Sequence, residues 1–198
     1  MFPIPRFRGT GLAAAVGLSL TVTAPVTAQD TPPELPFDVI VPEYTADRQA
    51  AYAVAAARSA WVDAFESQDV ERMMSFYVDD IYSYDMMAAP ADGGMAMAFD
   101  GRAAWQANWV SFFDMFEDDL KVTIDNLTVY QAGDIATVRG LTRLQGTAFG
   151  QHIDMWARET NVLHRVGDRW LVVHDHVSVP IDFASGQALM NLTPRPSE

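Results

Sequence analysis

The chain has 198 residues, with 26 acidic against 13 basic side chains and no cysteine, for a formal net charge of −13. Such a surface repels phosphate backbones and anionic lipid, which argues against nucleic-acid and membrane-surface partners. Without cysteine there is no disulfide, thiol nucleophile or thiolate metal site, so stability must come from packing. In chain order, residues 1–28 predict a secretory signal peptide. Arg6 and Arg8 give a positive start, Gly11 to Ala24 an apolar stretch, and Val26-Thr27-Ala28 a small-residue cleavage site. The apolar stretch falls short of the ~20 residues needed to span a bilayer. A secreted or periplasmic protein, free of the membrane after cleavage, is the expectation. Residues 29–45 hold Pro32, Pro33, Pro36 and Pro42 and read as an extended leader, with Val39, Ile40 and Val41 tucked along the domain.

The domain proper is expected over 46–182. From Thr45 as N-cap, the alanine-rich segment 46–69 lacks proline and glycine and predicts a helix of about 20 residues. Tyr52, Ala55, Ala56, Ser59, Trp61, Val62 and Phe65 mark its buried side. A short second helix is expected over 69–80 and a short strand over 81–86. Residues 87–101, with Pro90, Gly93 and Gly94, read as a loop; Met86, Met87, Met95 and Met97 make it suited to cover an apolar ligand. A third helix over 102–118 places Trp105, Trp109, Phe112 and Phe116 on one face.

Beyond residue 118 the chain becomes β-branched and aromatic. Four strands are expected over 120–131, 135–149, 152–166 and 169–181, joined by short connections into an antiparallel meander. The remainder, 183–198, reads as a loosely held tail. Helices first and strands afterwards specify an α+β domain, with three N-terminal helices packed on one face of a curved, mainly antiparallel sheet.

The last strand raises the functional question. Alternation puts Trp170, Val172, His174, His176 and Ser178 on one face, and on the strand before it His152, Asp154, Trp156, Arg158, Thr160 and Val162. These even-numbered faces are too polar for ordinary core and too aromatic for ordinary surface, as the wall of a pocket would be. By the same parity Asp175 points away, and the apolar odd face of the last strand would suit a second copy in a homodimer.

Four segments carry a resemblance: "WVDAFESQDVERMMSFYVDDIYSYD" (61–85), "GDIATVRG" (133–140), "RETNVL" (158–163) and "DRWLVVHDHVSVP" (168–180). Over about 48–182 the chain resembles the nuclear transport factor 2-like superfamily, and within it the SnoaL-like polyketide-cyclase and ketosteroid-isomerase-like branch. The resemblance implies a cone-shaped barrel with a cavity between helices and sheet. It also implies cofactor-free chemistry, since members include isomerases, cyclases, hydratases and dehydratases beside modules that only bind.

His176 and His174 are the candidate proton acceptors, because a neutral imidazole titrates near ambient pH. Arg158 is placed to hold an enolate or carboxylate oxygen, and the resemblance points to Asp85 as a carboxylate reaching the cavity. Trp105, Trp109, Trp156, Tyr84, Thr160 and Ser178 are the candidate ligand contacts. His174 and His176 have a metal-like spacing that Asp154 or Asp85 could complete, but Arg158 beside them would repel a cation, so no metal is expected. Two readings remain. One is a small hydrophobic molecule bound, with or without turnover, in a cavity of the usual several hundred Å³; the other is a non-enzymatic dimeric module whose interior is filled.

Overall fold

The computed structural model describes residues 33–86, 90–91, 94–95, 98–117 and 120–194. The signal-peptide segment, most of the methionine-bearing loop and the last four residues lie outside the described residues. The leader contributes strand β1 (Val39–Ile40), whose residues pair in parallel with Leu127 and Thr128. Helix α1 (Arg48–Glu66) starts at Asp47, not at Thr45: the Asp47 carboxylate accepts from the Ala50 N–H at 3.0 Å. Aspartate at an N-cap satisfies an otherwise orphaned amide, whereas Thr45 is spent in a turn, its N–H donating to the Pro42 carbonyl. The inward side of α1 carries Ala51, Val54, Ala55, Arg58, Trp61, Val62 and Phe65.

Helix α2 (Val70–Met74) is only five residues long. The chain then turns straight into strand β2 (Tyr77–Tyr84), which is longer and earlier than the sequence pattern suggests. Tyr77, Ile81 and Ser83 are all buried, so alternation had already begun where helix was expected. Two-residue strands β3 (Pro90–Ala91) and β4 (Gly94–Met95) pair with each other, and β5 (Phe99–Asp100) pairs antiparallel with β2. Gly101, at φ 83°, turns the chain into α3 (Arg102–Phe113). On α3, Trp105, Trp109, Phe112 and Phe113 are buried in one aromatic cluster with Trp61 and Phe65.

The four long strands are β6 (Lys121–Ala132), β7 (Ile135–Ala148), β8 (Gln151–Val166) and β9 (Arg169–Ser178). They form the expected meander. The full sheet runs β1-β6-β7-β8-β9-β2-β5, with β2 parallel to β9, so the N-terminal half completes the edge next to the last strand. The curved sheet is not closed, and the helices cover one of its faces. After β9 the tail folds back: Ile181 bridges Ala188, and the Met190 carbonyl accepts from the Trp156 N–H at 3.4 Å.

Two irregularities decide which side chains look inward. In β6 the register shifts between Asp125 and Thr128, with Asn126 at φ 56°, and the inward set changes from Val122 and Ile124 to Leu127 and Val129. In β9, Val172 pairs with Leu163 and His174 pairs with Val162, leaving Val173 as an extra residue. A single extra residue moves every later side chain to the opposite face.

Candidate functional site

Between the helices and the sheet lies a cavity of about 60 Å³. By volume it holds a few waters or one end of a small ligand, well below the several hundred Å³ expected. Its apolar wall comes from Phe65, Trp109 and Phe112 on the helices and Val122, Leu144 and Met155 on the strands. Its polar groups are Arg58, Asp85, Thr142, Glu159 and Asp175. On β9 the inward residues after the extra Val173 are therefore Asp175 and Val177, while before it they are Trp170 and Val172.

Asp175 is 2 % exposed. Asn161, its register partner on β8, donates Nδ2–H to Oδ1 at 2.7 Å, and the Tyr77 hydroxyl lies 3.3 Å from Oδ2. Burial, reinforced by the nearby Glu159 and Asp85 and only partly opposed by Arg58, holds the Asp175 carboxyl well above the usual carboxylate range. Asn161 thus occupies Oδ1, and the Tyr77 hydroxyl donates to Oδ2. Burial likewise raises the Tyr77 hydroxyl well above the ordinary phenol range, with Asp175 adding to the effect; Trp61 Nε1–H donates to its oxygen at 2.8 Å.

Beside this acid sits a buried ion pair. Arg58 on α1 donates to Glu159 Oε2 at 2.5 Å, with both side chains 7 % exposed. The Thr142 hydroxyl donates to the same oxygen at 2.7 Å, and the Arg58 guanidinium lies 3.9 Å from the Trp61 ring centroid. The partly exposed Asp85 follows directly after β2 and accepts from the buried Asn108 amide of α3 at 2.7 Å. The site therefore sets a buried carboxyl of raised pKa deep in the wall, and a second carboxyl just beyond β2, against the same cavity.

A SnoaL-like domain model matches residues 54–182. The chain belongs to the SnoaL-like family. Among solved structures, an NTF2-like protein of unknown function from Pseudomonas putida KT2440 is similar at 27% identity and a TM-score of 0.66, over 75% of this chain and 99% of that one. A ketosteroid isomerase-like protein from Erwinia carotovora atroseptica shares the fold at 21% identity and a TM-score of 0.55, over 67% of this chain and 97% of that one. An NTF2-like protein with a cystatin-like fold from Novosphingobium aromaticivorans does so at 18% identity and a TM-score of 0.54, over 68% and 84%. No curated protein matches the sequence.

Within this SnoaL-like domain the residues singled out from the sequence divide between two faces. Asp85 and Trp109 line the cavity. Trp105 is fully buried against Tyr77, Phe99 and Trp109, behind the cavity wall. His174, His176, Arg158, Trp156, Thr160, Ser178 and Tyr84 belong to the opposite face of the sheet, away from the helices, which corrects the inward placement expected for them. The cause is Val173: alternation read through it without a break assigns His174 and His176 to the side of Trp170, and assigns Asp175 away from it. On that outer face the Tyr84 ring packs edge-on at 5.2 Å from His174 and 5.6 Å from His176, and His174 Nδ1–H donates to the Tyr82 carbonyl at 2.6 Å.

Asp154 pairs with Arg143 through two contacts of 2.7 and 2.6 Å, and so is not a third ligand beside the histidines. The odd face of β9, offered above to a second copy, turns to the cavity from Asp175 onward; the face open to a partner is the one bearing Tyr82, Tyr84, His174 and His176. The sequence reading missed Arg58, Tyr77, Asn161, Glu159 and Asp175. One signal was available. The two-residue Gly167-Asp168 turn sets Arg169 opposite Val166 and Trp170 opposite Arg165, so even positions of β9 start opposite odd positions of β8.

Proposed function

We propose that this SnoaL-like domain binds a small, mostly apolar carbonyl compound, and moves a proton on the carbon next to its carbonyl group without a cofactor. The observation that carries this reading is Asp175, a buried carboxyl of raised pKa in the wall of an otherwise largely apolar cavity. In this reading the carboxyl carries a proton, and the long 3.3 Å bond that the Tyr77 O–H donates to Oδ2 gives way to a ligand oxygen. The Asp85 carboxylate removes a proton from the adjacent carbon. The C–H electron pair becomes a C=C bond, and the oxygen gathers negative charge against the Asp175 O–H. In a β,γ-unsaturated ketone, return of the proton from Asp85 to the γ-carbon completes an isomerisation; in a β-hydroxy ketone, transfer of that proton to the hydroxyl, which leaves as water, completes a dehydration.

The experiment needs no knowledge of the natural substrate. Deuterium exchange at the α-carbon of a simple aryl ketone in D₂O, followed by NMR, is expected to be accelerated by the protein. Asp85→Asn should lower that rate by about 10²-fold or more. Exchange no faster than in buffer removes the enzymatic reading. A second reading then stands on the small cavity: with Trp61, Phe65, Trp109 and Phe112 filling the interior, the domain is a binding or scaffold module only.

In the same proposal the protein is exported, on the strength of residues 1–28, and two copies meet through the outer sheet face. Tyr82 and Tyr84, 42 % and 41 % exposed, supply aromatic area there. N-terminal sequencing of protein recovered outside the cytoplasm should begin near Gln29. His176→Glu, which sets a charge in that face, should convert a dimer to a monomer by light scattering; a monomeric wild type refutes the pairing.

A further inference from the structure

The charges around the cavity are uneven. Among the described residues, Asp85, Glu159 and Asp175 face it with a single cation, Arg58. Even with Asp175 protonated, the wall carries two carboxylates against one guanidinium. Arg58 is also poorly placed to receive an anion: Glu159 holds one of its terminal nitrogens at 2.5 Å, and Trp61 covers its plane. A ligand carboxylate normally takes two parallel N–H bonds from an arginine, and that edge is shared with Glu159.

The unspent hydrogen-bonding capacity is of a different kind. Arg58 Nε–H and Trp109 Nε1–H are buried donors without a partner among the described residues, and both side chains line the cavity. With the Asp175 O–H they present single donors to an acceptor oxygen. Buried donors left unmatched are costly, so a ligand that brings an uncharged acceptor is rewarded. One that brings a negative charge meets Glu159, buried where water screens poorly, and the partly exposed Asp85.

Taking the cavity as the ligand site argued above, we infer that it discriminates by charge: it accepts an uncharged acceptor head group on an aromatic or aliphatic body and excludes carboxylates, with Glu159 as the specificity-determining residue. Benzamide and benzoate test this, because they share a ring and a planar three-atom head and differ by one charge at neutral pH. Titration calorimetry on the full protein at pH 7.5 should find benzamide at least tenfold tighter than benzoate. Glu159→Gln removes one negative charge while keeping an oxygen for Arg58 and Thr142, and should narrow the ratio at least fivefold, mainly by tightening benzoate. Should that variant fail to fold with Arg58 uncompensated, Asp85→Asn makes the same change of charge at a half-exposed position and should act in the same direction.

Benzoate binding as tightly as benzamide overturns the inference, as does a ratio that neither variant moves. Absence of binding by both probes at millimolar concentration, together with no ketone exchange, has a different signature: it overturns the ligand site itself, and the charge discrimination with it.

Discussion

A single carboxyl sets the character of the interior. Asp175 is held well above its unfolded value by burial first and by Glu159 and Asp85 next, with Arg58 pulling the other way. The unfolded carboxyl titrates near 3.9. Between that value and the raised folded one, the native state binds more protons than the unfolded state, so stability falls as pH rises through this window and levels off above it. Asp175→Asn keeps an acceptor for Asn161 and a hydrogen to give, but cannot ionise. Its melting temperature relative to the parent should therefore climb between pH 4 and pH 7.5; a difference independent of pH would mean that Asp175 is already ionised in the native protein. The Arg58–Glu159 pair behaves differently, because each partner alone is a buried, unmatched charge. Glu159→Ala should lose about 3–5 kcal/mol in urea unfolding, whereas replacing both residues with leucine or methionine should cost much less.

At the scale of elements, most of the architecture was readable. Helix α1, the aromatic face of α3 and the four-strand meander follow from proline-free alanine-rich sequence, from i, i+4, i+7 spacing and from β-branched runs between tight turns. The end of the short second helix was not, since Phe76, Tyr77 and Val78 continue an apolar run compatible with either period. The site was largely unreadable for one reason. "LVVHDH" offers an apolar residue on both faces at Val172 and Val173, with neither glycine nor proline to mark an extra residue, so inversion of the faces leaves no local trace. Asp85 escaped this difficulty because it directly follows β2, whose exposed tyrosines at 82 and 84 and inward Ile81 and Ser83 alternate without a break up to it. The inversion in β6 is better signposted, because asparagine is among the few residues that tolerate a left-handed backbone. Asn126→Gly should thus leave the unfolding midpoint nearly unchanged, while Asn126→Val should cost about 1–2 kcal/mol in chemical denaturation.

For the whole molecule, the acidic excess is a standing repulsion. With a net charge of −13, the folded state should gain stability as added salt shortens the screening length, and a melting temperature that rises between 0.02 and 0.3 M NaCl is the expected reading. Among the described residues no helix is long and apolar enough to cross a membrane. The helix layer and the sheet are also unequal partners in the chemistry: the helices supply Arg58, Asn108 and the aromatic roof, and the strands supply the carboxyls and Tyr77.

The parallel contact between β2 and β9 has a consequence in time. Tyr82 and His174 touch across a separation of 92 positions, so the ribbon made early in synthesis waits for the ribbon made last. Until the final segment is released, Ser83 is flanked by β5 on one side only, and Tyr77 lacks its Asp175 partner. A chain ending at residue 168 should remain without sharp side-chain signals in NMR, and refolding of the complete chain should be slow, as long-range closure dictates. Completion of the fold and of the cavity wall are then one event, and a ribosome-bound chain lacks Asp175 in that wall by construction.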